Sequence, residues 1–263
     1  MPYMTYSQLK DSAKRRMKPV MGRLVGVAAI QLGLSIVISQ AVSFTALFPM
    51  PFLLQTIIYI LSTVLCYTLT GMLDAGVTFI YLKLYCGRPF SAGDVFYVFT
   101  GRTKTCLGLS FVLALIGIIP FLPVSILSLR LNTVMEKMSL DILSSADAAG
   151  FTAMPEFLNT ITIMFFCLAP ALIIATVLSL VYSQAYYLML DFPACSVREL
   201  LKKSRLLMRG HKGRLFYIQV CFLPLSLLGA LTCGIGFLWI MPFMCAVQAE
   251  FYLDLVTKRR VQG

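Results

Sequence analysis

The sequence predicts an all-α integral membrane protein, with six transmembrane helices joined by cytosolic amphipathic helices. Three observations carry that expectation. The 263-residue chain is 59% apolar and only 13% charged, whereas a soluble domain needs roughly a quarter of its residues charged to solvate its surface. Six apolar stretches each approach or exceed the about 20 residues that cross a bilayer as helix. Twenty of the 22 Lys and Arg residues fall in alternate gaps between those stretches.

Residues 1–23 form a basic arm with Lys10, Lys14, Arg15, Arg16, Lys18 and Arg23. Tyr6 to Lys18 reads as a short in-plane helix with Ser7 as N-cap. Leu9, Ala13 and Met17 share one face, and Lys10, Lys14 and Arg15 lie around it. Each basic residue near an anionic leaflet gains about 1 kcal/mol of attraction, so the arm reads as a membrane anchor before it reads as a binding site.

The predicted spans are Leu24–Leu47, Phe52–Leu82, Thr105–Leu129, Phe157–Leu190, Leu215–Leu231 and Ile235–Val256, all within one polytopic domain over 1–263. The second and fourth exceed one straight crossing, so they are expected to tilt or to continue as helix beyond the bilayer. The fifth is short and carries Pro224. The first follows a basic arm, and Ser39-Gln40-Ala41 faintly resembles a cleavage site. Its apolar run is too long for the roughly 7–15-residue core of a signal peptide, so it is expected to stay as a span.

The arm holds six basic residues, the second gap four, the fourth gap seven and the tail three. The first gap (Phe48-Pro-Met-Pro51) and the fifth (Thr232–Gly234) hold none. The third gap holds Arg130 and Lys137 with four acids, Glu136, Asp141, Asp147 and Glu156. The positive-inside rule then puts both termini in the cytosol, and an odd number of spans would scatter like-charged gaps across both faces. A net charge of +11 split among short gaps points to anionic lipid headgroups as partners rather than nucleic acid. A protein partner or a homo-oligomer is left open.

The third gap has Leu131, Val134, Met135, Met138 and Ile142 at helical spacing, expected to lie along the outer interface until Ser144–Gly150 breaks it. The fourth gap begins after Asp191-Phe-Pro193 with Ser196-Val-Arg-Glu199, a capping-box pattern. Val197, Leu200, Leu201, Leu207 and Met208 make its apolar face, opposed by Arg198, Lys202, Lys203, Arg205 and Arg209. Glu199 and Lys203 are spaced as an i,i+4 pair, and Gly210 is placed to end the helix.

The second gap repeats this plan in shorter form. Pro89 precedes Ser91-Ala-Gly-Asp94, Phe96 and Phe99 supply the apolar face, and Gly101-Arg-Thr-Lys104 closes it. The Ser-to-Gly separations are 10 and 14 residues, about one helical turn apart. A tandem duplication of helical hairpins, spans two and three matching spans four and five, accounts for this; so does the common demand on any helix joining two spans.

From Tyr182 to Leu255 the residues Tyr182-Ser183, Tyr187, Asp191-x-Pro193 and Ser204-Arg205-x-x-Met208-x-Gly210-His211-Lys212 form a specific pattern. It continues through Phe216, Leu231-Thr-x-Gly-Ile-Gly236, Leu238-Trp239, Pro242 and Phe251-Tyr252, with Leu9-Lys10, Ala13 and Met17-Lys18 in the arm and a looser match over Gly76 to Phe99. This pattern resembles DUF975, an uncharacterised family of bacterial polytopic membrane proteins. The resemblance covers most of the chain. It implies a multi-pass protein of the bacterial plasma membrane and brings no activity with it.

Histidine occurs once, as His211, so neither a His triad nor a two-His metal site can form within one chain. P-loop, HExxH and GxSxG patterns are missing, and no enzyme, cofactor or metal is expected. The eight cysteines share no CxxC spacing and read as small apolar residues or reduced thiols. Lys202, Arg205, Arg209, His211 and Lys212 are the candidate contacts for a lipid headgroup or anion; His211 is otherwise a helix-end residue bonded to backbone.

Three acids lie in or near spans: Asp74, Glu250 and Asp254. Glu250 and Asp254 sit in the last turns of span six, within reach of tail or gap cations such as Arg259. Asp74 closes a stripe of Thr56, Tyr59, Thr63, Tyr67 and Thr70, matched by Gln31, Ser35, Ser39 and Ser43 in span one and Thr176, Ser179, Ser183 and Tyr186 in span four. Such stripes either hold helices together or line a polar path; Asp74, Thr70, Tyr67, Thr63, Gln31 and Ser35 are the candidate path. Pro120, Pro123, Pro170, Pro224 and Pro242 would free carbonyls and favour a cavity. Two functions follow as expectations: a transport or export component with a polar intramembrane cavity, or a scaffold or lipid-interacting module acting through its basic helices.

Overall fold

The computed structural model describes residues 3–45, 51–101, 103–144, 154–232 and 234–262. The end of the first predicted span, the Phe48–Met50 part of the first gap, Arg102, the 145–150 break with Asp147, and Cys233 lie outside the described residues. So do the side chains of Asp141, Ile142, Arg259 and Arg260. All regular structure among the described residues is helical. Among the described residues six helical runs are long and apolar enough to cross a membrane, as the sequence predicts.

Helix α1 (Tyr6–Met17) begins at Thr5 rather than Ser7. A capping box needs Glu or Gln three residues on; Gln8 meets that need for Thr5, accepting its N–H at 2.9 Å, whereas Ser7 is followed by Lys10. The arm also differs from an in-plane anchor. Leu9, Ala13 and Met17 are buried against protein, because α1 packs on α11 (Phe237–Gln262). The acids near the end of α11 draw it there: Glu250 accepts from Ser12 Oγ and lies 3.3 Å from Arg16 Nε, and Asp254 accepts the Met4 N–H at 3.2 Å.

A 3₁₀ turn at Lys18–Val20, with Pro19 in its first turn, leads into α2 (Met21–Thr45). Helix α3 (Phe52–Tyr85) is 34 residues long and packs against α2 and α5 (Thr103–Ile118). Between α3 and α5 lie a 3₁₀ segment, Ala92–Phe96, and the short α4 (Tyr97–Gly101). Val95 and Val98 are the buried residues here, while Phe96 and Phe99 are exposed, the reverse of the sequence expectation. Positions i and i+3 eclipse in a 3₁₀ turn, and Val95 is pressed onto Gly76 of α3, where a Cβ would stand 1.8 Å from the Val95 carbonyl oxygen.

Pro120 lies in a 3₁₀ turn, Ile119–Phe121, between α5 and α6 (Leu122–Ser144). The Leu131–Ile142 stretch therefore continues the third span instead of forming a separate interfacial helix. It pairs with α7 (Met154–Tyr182), and Arg130 meets Glu156 at 3.1 Å across the hairpin. The fourth predicted span breaks at Ser183-Gln184 and resumes as α8 (Ala185–Asp191). Then come α9 (Val197–Leu207), α10 (Lys212–Leu231) and α11.

The core gathers at the end of the bundle that carries the termini: the second half of α3, most of α8, the buried face of α9 and the last turns of α11. Away from that end Leu53, Phe166 and Leu231 are 74%, 78% and 75% exposed. Apolar side chains there face what lipid would cover.

Candidate functional site

Asp74 lies on the α3 face that meets α2, and its Oδ1 accepts from Gln31 Nε2 at 2.6 Å. The pair borders a cavity of about 270 Å³. Gln31, Asp74, Thr78, Ser183, Tyr186 and Gln248 supply its polar lining; Val77, Tyr81, Tyr187 and Cys245 complete it. Four stretches of chain converge: α2, α3, the α7–α8 break and α11.

The break is what turns span four toward the cavity. Ser183 Oγ donates to the Leu180 carbonyl at 3.0 Å, a local bond that competes with the helix ladder. Gln184 Nε2 donates to Ser183 Oγ at 3.0 Å, and Gln184 Oε1 is buried without a partner among the described residues. The prolines do not make this break. Pro170, Pro224 and Pro242 sit inside continuous helices.

The walls are held by hydroxyl bonds. Tyr186 donates to Ser110 Oγ at 3.2 Å, and Gly71 makes room, since a Cβ there would lie 2.5 Å from that hydroxyl. Tyr81 and Tyr85 donate to the carbonyls of Pro242 and Ala246 at 3.0 and 2.9 Å, tying α3 to α11. Tyr187 stacks on Tyr252 at 4.8 Å, and Tyr252 donates to Asp191.

Of the three polar stripes, Asp74, Gln31, Ser183 and Tyr186 come together in the cavity. The rest spread along the helices. Thr63 donates to its own helix at the Tyr59 carbonyl, 2.7 Å away, and Thr56, Ser39, Thr176 and Ser179 bond back in the same manner. Tyr67 is 59% exposed, and Thr70 and Ser35 are half-buried outside the cavity lining. Gln248, Tyr81, Tyr187 and Cys245 escaped the sequence reading. The one available signal was Gln248, an amide three residues after Cys245 in an otherwise apolar span.

The basic candidates line the outer face of α9 and the turn after it. Lys202, Arg205, Arg209 and Lys212 are exposed, and Arg205 reaches the Tyr182 hydroxyl at 3.2 Å. His211 meets Tyr3 edge to face at 4.5 Å. Gly210 has φ +85°, the left-handed conformation expected of a residue that ends a helix. Lys203 forms no salt bridge with Glu199, although its charge acts on that carboxyl; its ammonium meets Cys195 Sγ at 2.9 Å and the Phe192 ring at 4.4 Å. Asp254 is paired by the gap residue Arg214 at 2.6 Å and the tail residue Lys258 at 3.2 Å, as expected, whereas Glu250 meets Arg16 of the arm instead of a gap or tail cation. Among the described residues no group of three His, Cys, Asp or Glu side chains gathers to hold a metal ion.

These features define a class, the helical multi-pass membrane proteins with a polar cavity between spans. Within it, the chain belongs to the family described as "Protein of unknown function (DUF975)", which matches residues 3–259. No curated protein and no solved structure matches the chain.

Proposed function

We propose that the protein is a non-enzymatic membrane transport component that admits a proton or small cation to the cavity around Asp74. The lining carries this reading: one carboxylate, two amides and five hydroxyl side chains, with no Lys, Arg or His among the described residues. An acid at mid-bilayer costs about 2.5–3.5 kcal/mol on insertion scales, so it is rarely present without a task. The cavity lies just below the roughly 300–1,000 Å³ of drug-sized pockets, which suits an ion or a very small solute. Broken helices beside an ion site are a recurring transporter device, and the α7–α8 break stands beside this one. The charge sorting supports cytosolic termini, and family resemblance supports a bacterial plasma membrane.

The test is flux in vesicles reconstituted with the purified protein, offering protons, sodium, potassium and small ammonium ions. Wild type should exceed empty vesicles for at least one of them, and Asp74→Asn should return to the empty-vesicle rate with an unchanged melting temperature. A wild type that passes none, or an Asp74→Asn that passes as much, overturns the reading.

A second reading, a lipid-interacting accessory module, is favoured by α9. Its Leu200, Ser204 and Leu207 are buried, which leaves Lys202, Arg205 and Arg209 facing outward. Neutralising those three to Gln should weaken binding to anionic vesicles; unchanged binding removes this reading.

A further inference from the structure

A larger space lies elsewhere, under the overhanging end of α1. It measures about 900 Å³, within the roughly 300–1,000 Å³ of ligand sites. Its walls are apolar side chains of α10 and α11, among them Leu225, Leu228, Trp239, Ile240 and Phe243. The α10–α11 hairpin is pinched at its turn: a Cβ on Gly236, just before α11, would lie 2.8 Å from the Gly229 Cα, and one on Gly229 would lie 2.9 Å from Ile240 Cδ1. Both glycines line the space.

Its mouth is of different chemistry. Lys14, Arg15 and Lys18 line it, with Asp11 as the one acid beside them. Their neighbour Arg16 is committed to Glu250. Among the described residues no carboxylate forms a salt bridge with Lys14, Arg15 or Lys18. Three cations at the mouth of an apolar groove that follows two spans match one kind of molecule: an anionic headgroup above, a hydrocarbon chain below.

We infer that this groove is a seat for an anionic phospholipid, with its phosphate at Lys14, Arg15 and Lys18 and an acyl chain along Trp239 and Leu228. The site shares no residue with the Asp74 cavity or with the outward face of α9, so it stands or falls apart from both functional readings. It gives the arm a second role: α1 spends its apolar face on α11 and offers its charges to the lipid.

Trp239 is the chain's single tryptophan and is 52% exposed at the groove, so it reports on the occupant directly. The full chain is placed in mixed micelles, and Trp239 fluorescence is titrated with phosphatidylglycerol or phosphatidylcholine carrying brominated acyl chains. Brominated phosphatidylglycerol should quench at concentrations about tenfold or more below those of brominated phosphatidylcholine. The triple variant Lys14→Gln, Arg15→Gln, Lys18→Gln should lose that preference, and these exposed positions leave the fold intact, checked by circular dichroism. The variant Lys202→Gln, Arg205→Gln, Arg209→Gln should keep it. Inorganic phosphate at millimolar concentration should leave it in place. Equal quenching by both lipids in wild type overturns the proposal, since the groove then has no headgroup selectivity. So does an unchanged preference in the arm triple variant, or its abolition by inorganic phosphate alone.

Discussion

The connector between spans two and three and the one between spans four and five start with the same chemistry and dock by different means. Both open with a serine and an acid three residues later. Ser91 N–H donates to Asp94 at 2.9 Å, and Ser196 N–H donates to Glu199 at 2.8 Å. The shorter acid sits in the first turn of a five-residue 3₁₀ segment, the longer one in the first turn of an 11-residue α-helix. The first connector is held by backbone contact, Val95 on Gly76, reinforced by Tyr97 stacked on Phe79 at 3.9 Å and by Lys83–Asp94 at 2.9 Å. The second is held by a side-chain bond: the buried Ser204 donates to the Val181 carbonyl at 2.9 Å, at the end of α7. The same task, folding a connector back onto the span before it, is met by a missing side chain in one place and by a hydroxyl in the other. Sequence similarity at the caps therefore says little about how each connector is seated.

Four substitutions probe that contrast, and the largest effect belongs to glycine. Gly76→Ala puts a methyl group where the Val95 carbonyl stands, and backbone cannot rotate aside as a side chain can. We expect a loss of about 3 kcal/mol or more, seen as a lowered melting temperature in detergent and new proteolysis near Arg88. A stability within 0.5 kcal/mol of wild type would deny that backbone contact seats this connector (approximately the noise of a surface change).

Ser204→Ala is next. It removes the donor and leaves a buried carbonyl unsatisfied, for about 1–3 kcal/mol. The loss should appear by hydrogen exchange as faster opening of α9 with the first connector undisturbed. Equal loosening of both connectors would show that the two docks are coupled.

Acid gives the smallest effect. Bonds from the Ser196 backbone and hydroxyl hold the Glu199 carboxyl below its usual range, with Lys203 adding to them and slight desolvation opposing. At Asp94 burial pushes the other way, but the Lys83 bond, the Ser91 N–H and the Lys83 charge prevail and lower it. Both acids thus have folded-state values below the unfolded ones. Their stabilisation is complete above the ordinary values of 3.8 for Asp94 and 4.5 for Glu199, and it fades as pH falls through the lower folded values. Asp94→Asn should melt below wild type at pH 7 and converge with it as pH falls below the lowered Asp94 value. A gap that persists in acid would mean that the carboxylate charge is not what caps the turn. Salt should narrow the gap for Asp94→Asn more than for Glu199→Gln, because Asp94 alone of the two is within salt-bridge distance of a lysine.

Much of the architecture was readable from residue order. Apolar length set the six spans, and capping-box spacing marked Ser91 and Ser196; the same rule, applied to Thr5 and Gln8, would have corrected the arm. The cavity was half readable. Asp74 and Gln31 stood out because charge and amide are costly in an apolar run, yet Tyr67 and Thr63 shared the same periodicity and face elsewhere. Period alone names a face without naming its neighbour. Gln248 and the Ser183-Gln184 break gave almost no signal, since neither proline nor glycine marks them.

By itself the sequence determined the helical class, the number of spans and the segregation of basic charge, because those follow from length, hydropathy and the cost of unpaired backbone in lipid. Only the tertiary structure decided that α1 lies on α11, that four stretches of chain meet at Asp74, and that Gly76 and Ser204 seat the connectors. Those outcomes depend on which faces pack, and a helix carries its neighbours' identity nowhere in its own period.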